Sequence, residues 1–238
     1  MSNKTTIVVP SKYADVFAPF LASAEVYAKE TRKIVVLDGN ADKRSWYKAR
    51  DYMYGNKQWN MITAPAGPFC FARNVNLAIR HSGAQNIMIC NDDVRFTQPE
   101  TVEALEYALA KRPDIGIISP RIDGVVGNPI QRMVKPRTVE YSEMRLAFVC
   151  VLIRAEVFQE IGLLDEQFGD GDYGFDDTDF CLRAKQGGWK LAVNGEVSVK
   201  HGSTPWEFSS SYRRTKDEYE DSKSKALFFK KWGHTNLW

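Results

Sequence analysis

Ile87-Met88-Ile89-Cys90-Asn91-Asp92-Asp93-Val94-Arg95-Phe96 decides which sheet this chain can build. Its first four residues form an unbroken apolar run, the mark of a strand buried on both faces. The run stops at Asn91-Asp92-Asp93. Two adjacent carboxylates at a strand end repel each other and lose hydration unless a cation or strong donors meet them. In open α/β sheets ligands bind just outside the carboxyl ends of the strands. Mg²⁺ and Mn²⁺ take oxygen ligands and bridge carboxylates to substrate phosphates. The stretch therefore points to a metal–nucleotide site with Asp93 as a ligand. A plain turn after a strand is the competing reading, since Asn and Asp also favour turns.

Upstream, the same grammar repeats. Thr5–Val9 is a β-branched run stopped by Pro10, and Lys33–Leu37 is an apolar run that ends at Asp38-Gly39-Asn40. Between them, Val16, Phe17, Phe20, Leu21 and Ala24 line one helical face, with Pro19 expected in its first turn. A helix over 42–54, a strand over 59–63 and a helix from Phe71 to His81, closed by Gly83, lead back to the opening segment. Downstream come a helix over 99–112 and a strand over 115–119. Strand–helix alternation of this kind predicts a Rossmann-like, mostly parallel central sheet with helices on both faces.

From Pro120 to Arg145 the apolar period fails, so a long loop, functional or disordered, is expected. Leu146–Ile153 then reads as a central strand, Ala155–Ile161 as a short helix and Thr215–Trp232 as an amphipathic helix whose apolar face could pair two subunits. The chain reads as a single domain with a first half (1–120), a second half (121–214) and a C-terminal helix (215–238).

Composition excludes several classes. The chain has 238 residues, 26% of them charged, and a formal net charge of +2. Near neutrality argues against nucleic acid as a partner. The cysteines Cys70, Cys90, Cys150 and Cys181 have no CxxC spacing and read as buried thiols in a reducing, cytoplasmic setting. The first ten residues hold no apolar core of a signal peptide, and no run approaches the roughly 18 apolar residues of a membrane span.

Asp170, Asp172, Asp176, Asp177 and Asp179 crowd into ten residues ahead of a helix that ends at Gly187-Gly188. One such acid caps a helix and the rest suit its dipole. A carboxylate held there is also placed to serve as a general base toward a hydroxyl. His201 follows a strand-like run over 196–200 and can complete the shell of a cation held by Asp93. Trp206 offers a face on which a ligand ring can stack and can equally be local core.

Four segments together resemble the inverting family 2 glycosyltransferases of the GT-A fold. They are IVVLDGN around Asp38, FARNVNLAIRHSGAQNIMICNDDV, the stretch from VCVLIRAEVF to DDTDFCLRAKQGGWKL, and KHGS with ALFFKKWG. The resemblance implies a sugar moved from a nucleoside-diphosphate donor, a UDP-sugar by preference, to a saccharide, lipid-linked or protein acceptor, with Mn²⁺ or Mg²⁺ as cofactor. It assigns Pro10, Asp38, Arg73, Asn74, Asn91 and Asp92 to the nucleotide, and Asp93 and His201 to the metal. Catalysis falls to Asp177, with Asp176 as the alternative base and Asp179 flanking on the acceptor side. The metal motif is Asn-Asp-Asp where the family has Asp-x-Asp. A sugar-phosphate nucleotidyltransferase and a non-catalytic binding protein on the same fold are the competing functions.

Overall fold

A computed structural model describes residues 4–124, 126, 128–169, 174–202 and 223–233. Nine strands form one sheet in the order β3-β2-β1-β4-β8-β6-β9-β5, and β7 adds to β9 beside β5. The strands are β1 (Thr5–Ser11), β2 (Arg32–Leu37), β3 (Trp59–Thr63), β4 (Asn86–Cys90), β5 (Val94–Phe96), β6 (Ile115–Gly124), β7 (Val139–Ser142), β8 (Cys150–Arg154) and β9 (Lys190–His201). The helices are α1 (Ala14–Tyr27), α2 (Tyr47–Tyr54), α3 (Phe71–Ser82), α4 (Thr101–Lys111), α5 (Pro129–Met133), α6 (Ala155–Ile161), α7 (Asp176–Gln186) and α8 (Lys223–Trp232).

β1 to β4 are mutually parallel, β8 runs against both β4 and β6, and β6 is parallel to β9. Six of the nine described strands thus share one direction, as the alternation predicts. Alternate residues of β1 enter opposite cores. Ile7 and Val9 join Phe17, Phe20 and Leu105 on the face covered by α1 and α4. Val8 joins Val75, Val157 and Phe180 on the face covered by α3, α6 and α7. No helix among the described residues is long and apolar enough to cross a membrane.

Several boundaries differ from expectation, each for a local reason. β1 does not stop at Pro10. Ser11 gives its carbonyl to Asp38 N–H on the β2 side, so Pro10 faces the β4 side, where the ladder has already ended at Val8↔Ile89. The N–H that proline lacks is not needed there. α1 begins at Ala14 and carries Pro19 in its interior, its register held by the buried Phe17, Phe20 and Ala24.

The expected loop over 120–145 is largely structured. β6 continues past Pro120, where the register breaks: Pro120 faces Asn194 and Arg121 faces Ser198, so β9 carries the extra residues opposite the proline. α5 and β7 follow. β8 starts at Cys150 instead of Leu146, because residues 145–147 bond to side chains of α5 and α7 and not to a strand.

β9 is the longest strand and changes partners midway. Residues 191–194 pair with β7 and residues 199–201 with β5. At the change, Gly195 N–H donates to Thr138 O (2.7 Å) and Arg137 N–H to Gly195 O (3.2 Å). A Cβ at Gly195 would lie 2.0 Å from Lys135 O, so only glycine lets the two backbones close there.

The apolar face of α8, expected to pair subunits, packs against the chain's own core. Phe228 is fully buried against Phe168 and Phe175, and Phe175 stacks on it at 4.8 Å between centroids.

Candidate active site

Parallel register brings the strand ends of β1, β2 and β4 to one edge. Asp38, just past β2, is buried and accepts Asn40 N–H at Oδ1 (3.0 Å). The loop after β3 closes over this turn. A Cβ on Gly39 would lie 2.4 Å from Pro65 O, and Asn40 Nδ2 donates to Gly67 O at 2.6 Å. Asp92, past β4, is also buried and accepts Ser11 Oγ–H at 2.6 Å. Burial pushes its carboxyl up to about 7, with Asp93 adding to the rise and the Ser11 bond opposing it.

A strand absent from the sequence reading supplies the next contact. β5, only three residues long, pairs antiparallel with the end of β9 and sets Val94 opposite His201. His201 Nε2 then lies 3.2 Å from Asp93 Oδ1 and 3.3 Å from Asn91 Nδ2. The Asp93 and His201 side chains are 13% and 10% exposed, so a small ion can reach them. As a donor Nε2 hydrogen-bonds to Asp93, and as an acceptor it takes the Asn91 amide N–H. Octahedral ions with bonds near 2.1 Å set neighbouring ligands about 3 Å apart, and this O/N pair has that spacing. Among the described residues no set of three His, Cys, Asp or Glu side chains gathers around one point. Asp93 and His201 are the two residues here that could hold such a cation.

The third cluster forms at the start of α7. Phe175, just before it, has φ +70, a left-handed conformation uncommon for an aromatic residue. Asp176 and Asp177 open the helix. Asp176 is buried, and burial with the neighbouring Asp177 charge pushes its carboxyl up to about 7. Asp177 is 19% exposed and meets Arg145 Nη1 at 3.3 Å, while Thr178 Oγ1 donates to its other oxygen at 3.1 Å.

α3 abuts this cluster. Its N-cap residue Cys70 accepts Arg73 N–H at Sγ (3.5 Å), and its thiol, raised by burial, senses both Arg73 and Asp176. Arg73 donates to Pro68 O, but its buried Nε has no hydrogen-bond partner among the described residues, and neither do Nδ2 and Oδ1 of the buried Asn74.

Asp179, expected on the acceptor side, lies in a buried ion cluster. It is fully buried and binds Arg183 Nε (2.8 Å), Lys231 Nζ (2.8 Å) and Trp232 Nε1 (2.9 Å). Pro10 lies buried within β1. Trp206 lies outside the described residues, as do Asp170 and Asp172. Two contacts have no sequence signal. Ser11 sits behind a proline that reads as a strand stop. Arg145 is one of several bases between Arg121 and Arg145, and nothing in spacing sets it apart.

No family model matches the sequence. A curated relative, the low-salt glycan biosynthesis hexosyltransferase Agl10 of Haloferax volcanii, is 22% identical over 206 residues, 76% of this chain and 63% of that protein. The chain thus spans about 63% of the length of that relative. Among solved structures, the mannosyltransferase PcManGT from Pyrobaculum calidifontis, in complex with GDP-Man and Mn²⁺, superposes with a TM-score of 0.67 at 14% identity, over 85% of this chain and 57% of that one. GalNAc-T7 with UDP, GalNAc and Mn²⁺ gives a TM-score of 0.67 at 12% identity, over 83% and 43%. The fold is the GT-A fold of these sugar-transferring enzymes.

Proposed function

We propose that the chain is a family 2-like glycosyltransferase that moves a hexosyl or related group from a nucleoside-diphosphate sugar to an acceptor hydroxyl, with inversion. The observation that carries this reading is the convergence of Asp93 and His201, 3.2 Å apart, at the carboxyl end of β4, created by β5 pairing with β9. The likeness to a hexosyltransferase and to Mn²⁺-bound transferases of the same fold supports it.

Asp38 accepts from the nucleobase at the end of β2, with a uracil base the first to test. Arg73, Asn74, Asn91 and Asp92 line the remainder of the nucleotide, and the partnerless buried atoms of Arg73 and Asn74 support a polar ligand there. Asp93 and His201 are the residues that would hold Mn²⁺ or Mg²⁺. When bound, such a cation supplies a Lewis acid for the charge growing on the departing diphosphate. Asp177 is the general base. It is the more exposed of the two acids, whereas Asp176 is buried with a carboxyl raised toward neutrality. Asp177 takes the proton of the acceptor hydroxyl. The acceptor oxygen bonds to the anomeric carbon from the face opposite the diphosphate, and the bond to the diphosphate breaks with its electron pair leaving on oxygen. One displacement inverts the centre.

Calorimetry of UDP and GDP binding, with Mn²⁺ or EDTA, tests the site. Wild type should bind one nucleotide only with metal, and Asp93→Ala and His201→Ala should lose that dependence. Equal affinity in all three proteins sinks the metal assignment. Asp177→Asn should keep nucleotide affinity and lose transfer by about 10²–10⁴-fold. Pyrophosphate release from a nucleoside triphosphate and a sugar phosphate would instead make the chain a nucleotidyltransferase.

A further inference from the structure

The segment just before β8 is held from both sides. On one side Asn128, the N-cap of α5, accepts Ile130 N–H and donates from Nδ2 to Arg145 O. Gln131, fully buried on α5, accepts Ala147 N–H (2.8 Å) and donates to Ala147 O (3.1 Å) and Ser119 Oγ (2.9 Å). On the other side the buried Cys181 thiol of α7 exchanges contacts with Leu146 N–H (3.4 Å) and Leu146 O (3.6 Å). Lys185, one turn further along α7, donates to Glu143 O at 2.6 Å. Residues 143–147 are thus pinned to the helix that begins with Asp176-Asp177 and to α5 across from it. Arg145 leaves this fixed backbone to meet Asp177 at 3.3 Å, its side chain only 13% exposed.

We infer that Arg145 is the positioning residue of this site: from a backbone locked to α5 and α7, its guanidinium orients the Asp177 carboxylate and counters the charge of the Asp176–Asp177 pair. The inference rests on the glycosyl-transfer reading and adds a residue to it. A carboxylate that abstracts a proton must be ionised and must point at the hydroxyl. Two neighbouring acids, one of them buried, oppose ionisation through mutual repulsion and lost hydration. A cation fixed beside the exposed acid counters both effects. A guanidinium whose backbone is already ordered loses little further freedom in doing so. Among the described residues the charged or titratable groups around the pair are Arg145, Cys70 from the start of α3, and Cys181 and Lys185 along α7. Of these, Arg145 is the cation in direct contact.

The test uses Arg145→Gln and Arg145→Lys in the full chain, with circular dichroism to verify the fold. In the first measurement, ¹³C NMR follows the aspartate carboxyls without ligand, with resonances assigned through Asp176→Asn and Asp177→Asn. In Arg145→Gln the Asp176 titration should move to higher pH by about half a unit or more, and Arg145→Lys should restore most of it. An unmoved titration overturns the inference whatever the activity. In the second, transfer is measured with UDP-N-acetylglucosamine and GDP-mannose as donors. Arg145→Gln should lower kcat by about tenfold or more, as when an outer partner of a site residue is removed. Donor KM should stay constant, the acid limb should move upward, and lysine should rescue. A rise in donor KM at constant kcat overturns it. Wild-type chain that transfers from neither donor, with the NMR shift present, counts against the glycosyl-transfer reading and leaves the Arg145 coupling standing.

Discussion

Replacing Asp179 by asparagine separates a clamp from an acceptor contact. The carboxylate is completely buried and accepts from three donors, each within 2.9 Å. Removing one member of a buried ion pair costs about 3–5 kcal/mol because a charge is left uncompensated. Here the remaining cations keep other partners. Arg183 also donates to Ile161 O and Leu163 O, and Lys231 also meets Asp165 at 2.9 Å. Their side chains are 17% and 33% exposed, so water screens part of the loss. The low end applies, about 3 kcal/mol. At about 2–4 °C per kcal/mol for a chain of this size, Asp179→Asn should lower Tm by about 6–12 °C. Lys231→Met should lower it too, and the double variant should fall short of the sum, since the two residues share one interaction. Scanning calorimetry on the ligand-free protein reads all three. A drop below about 2 °C, or strict additivity, would refute the clamp. An intact Tm with a raised acceptor KM would return Asp179 to the acceptor side.

Three further outcomes follow from the geometry. Gly124 has φ +126, and a Cβ there would lie 2.2 Å from His201 O, so Gly124→Ala should displace the end of β9 and weaken Mn²⁺-dependent nucleotide binding while the far-ultraviolet spectrum stays that of the wild type. Asp92, raised by burial, binds its proton more tightly folded than unfolded, so folding loses stability as pH climbs from its unfolded value near 4 to about 7. Asp92→Asn in EDTA should therefore raise Tm more at pH 8 than at pH 5, and an equal change at both would exclude a strained carboxylate. All four thiols are buried, and burial raises those of Cys70, Cys90 and Cys181, so a thiol reagent should titrate four only after unfolding. Fast reaction in the native state contradicts that placement.

What the sequence disclosed tracks the range of the interactions involved. The strand ends at Asp38 and Asn91-Asp92-Asp93 were legible because an apolar run and its stop are local events. The helix start at Asp176-Asp177 was legible for the same reason. Composition could not separate Asp179 from its neighbours, since its role is fixed by Lys231 and Trp232, over fifty positions away. Arg145 was hidden likewise, because its importance comes from Asn128, Gln131 and Cys181 holding its backbone. β5 was missed because three residues carry no period, and pairing with β9 alone makes them a strand. Pro10 and Pro120 misled in the same way: each reads as a stop, yet one falls beyond the end of a ladder and the other at a break in register.

The change of partners along β9 also sets an order of events. During synthesis Asp38, Asp92 and Asp93 emerge long before His201, which lies 201 − 93 = 108 positions after Asp93. The nascent chain therefore holds its acids without His201 beside them until β9 has docked its last residues against β5. Pairings that distant close slowly. Cation affinity in a refolding experiment should then appear after the helices and the first four strands, and its arrival would time the closing of the sheet.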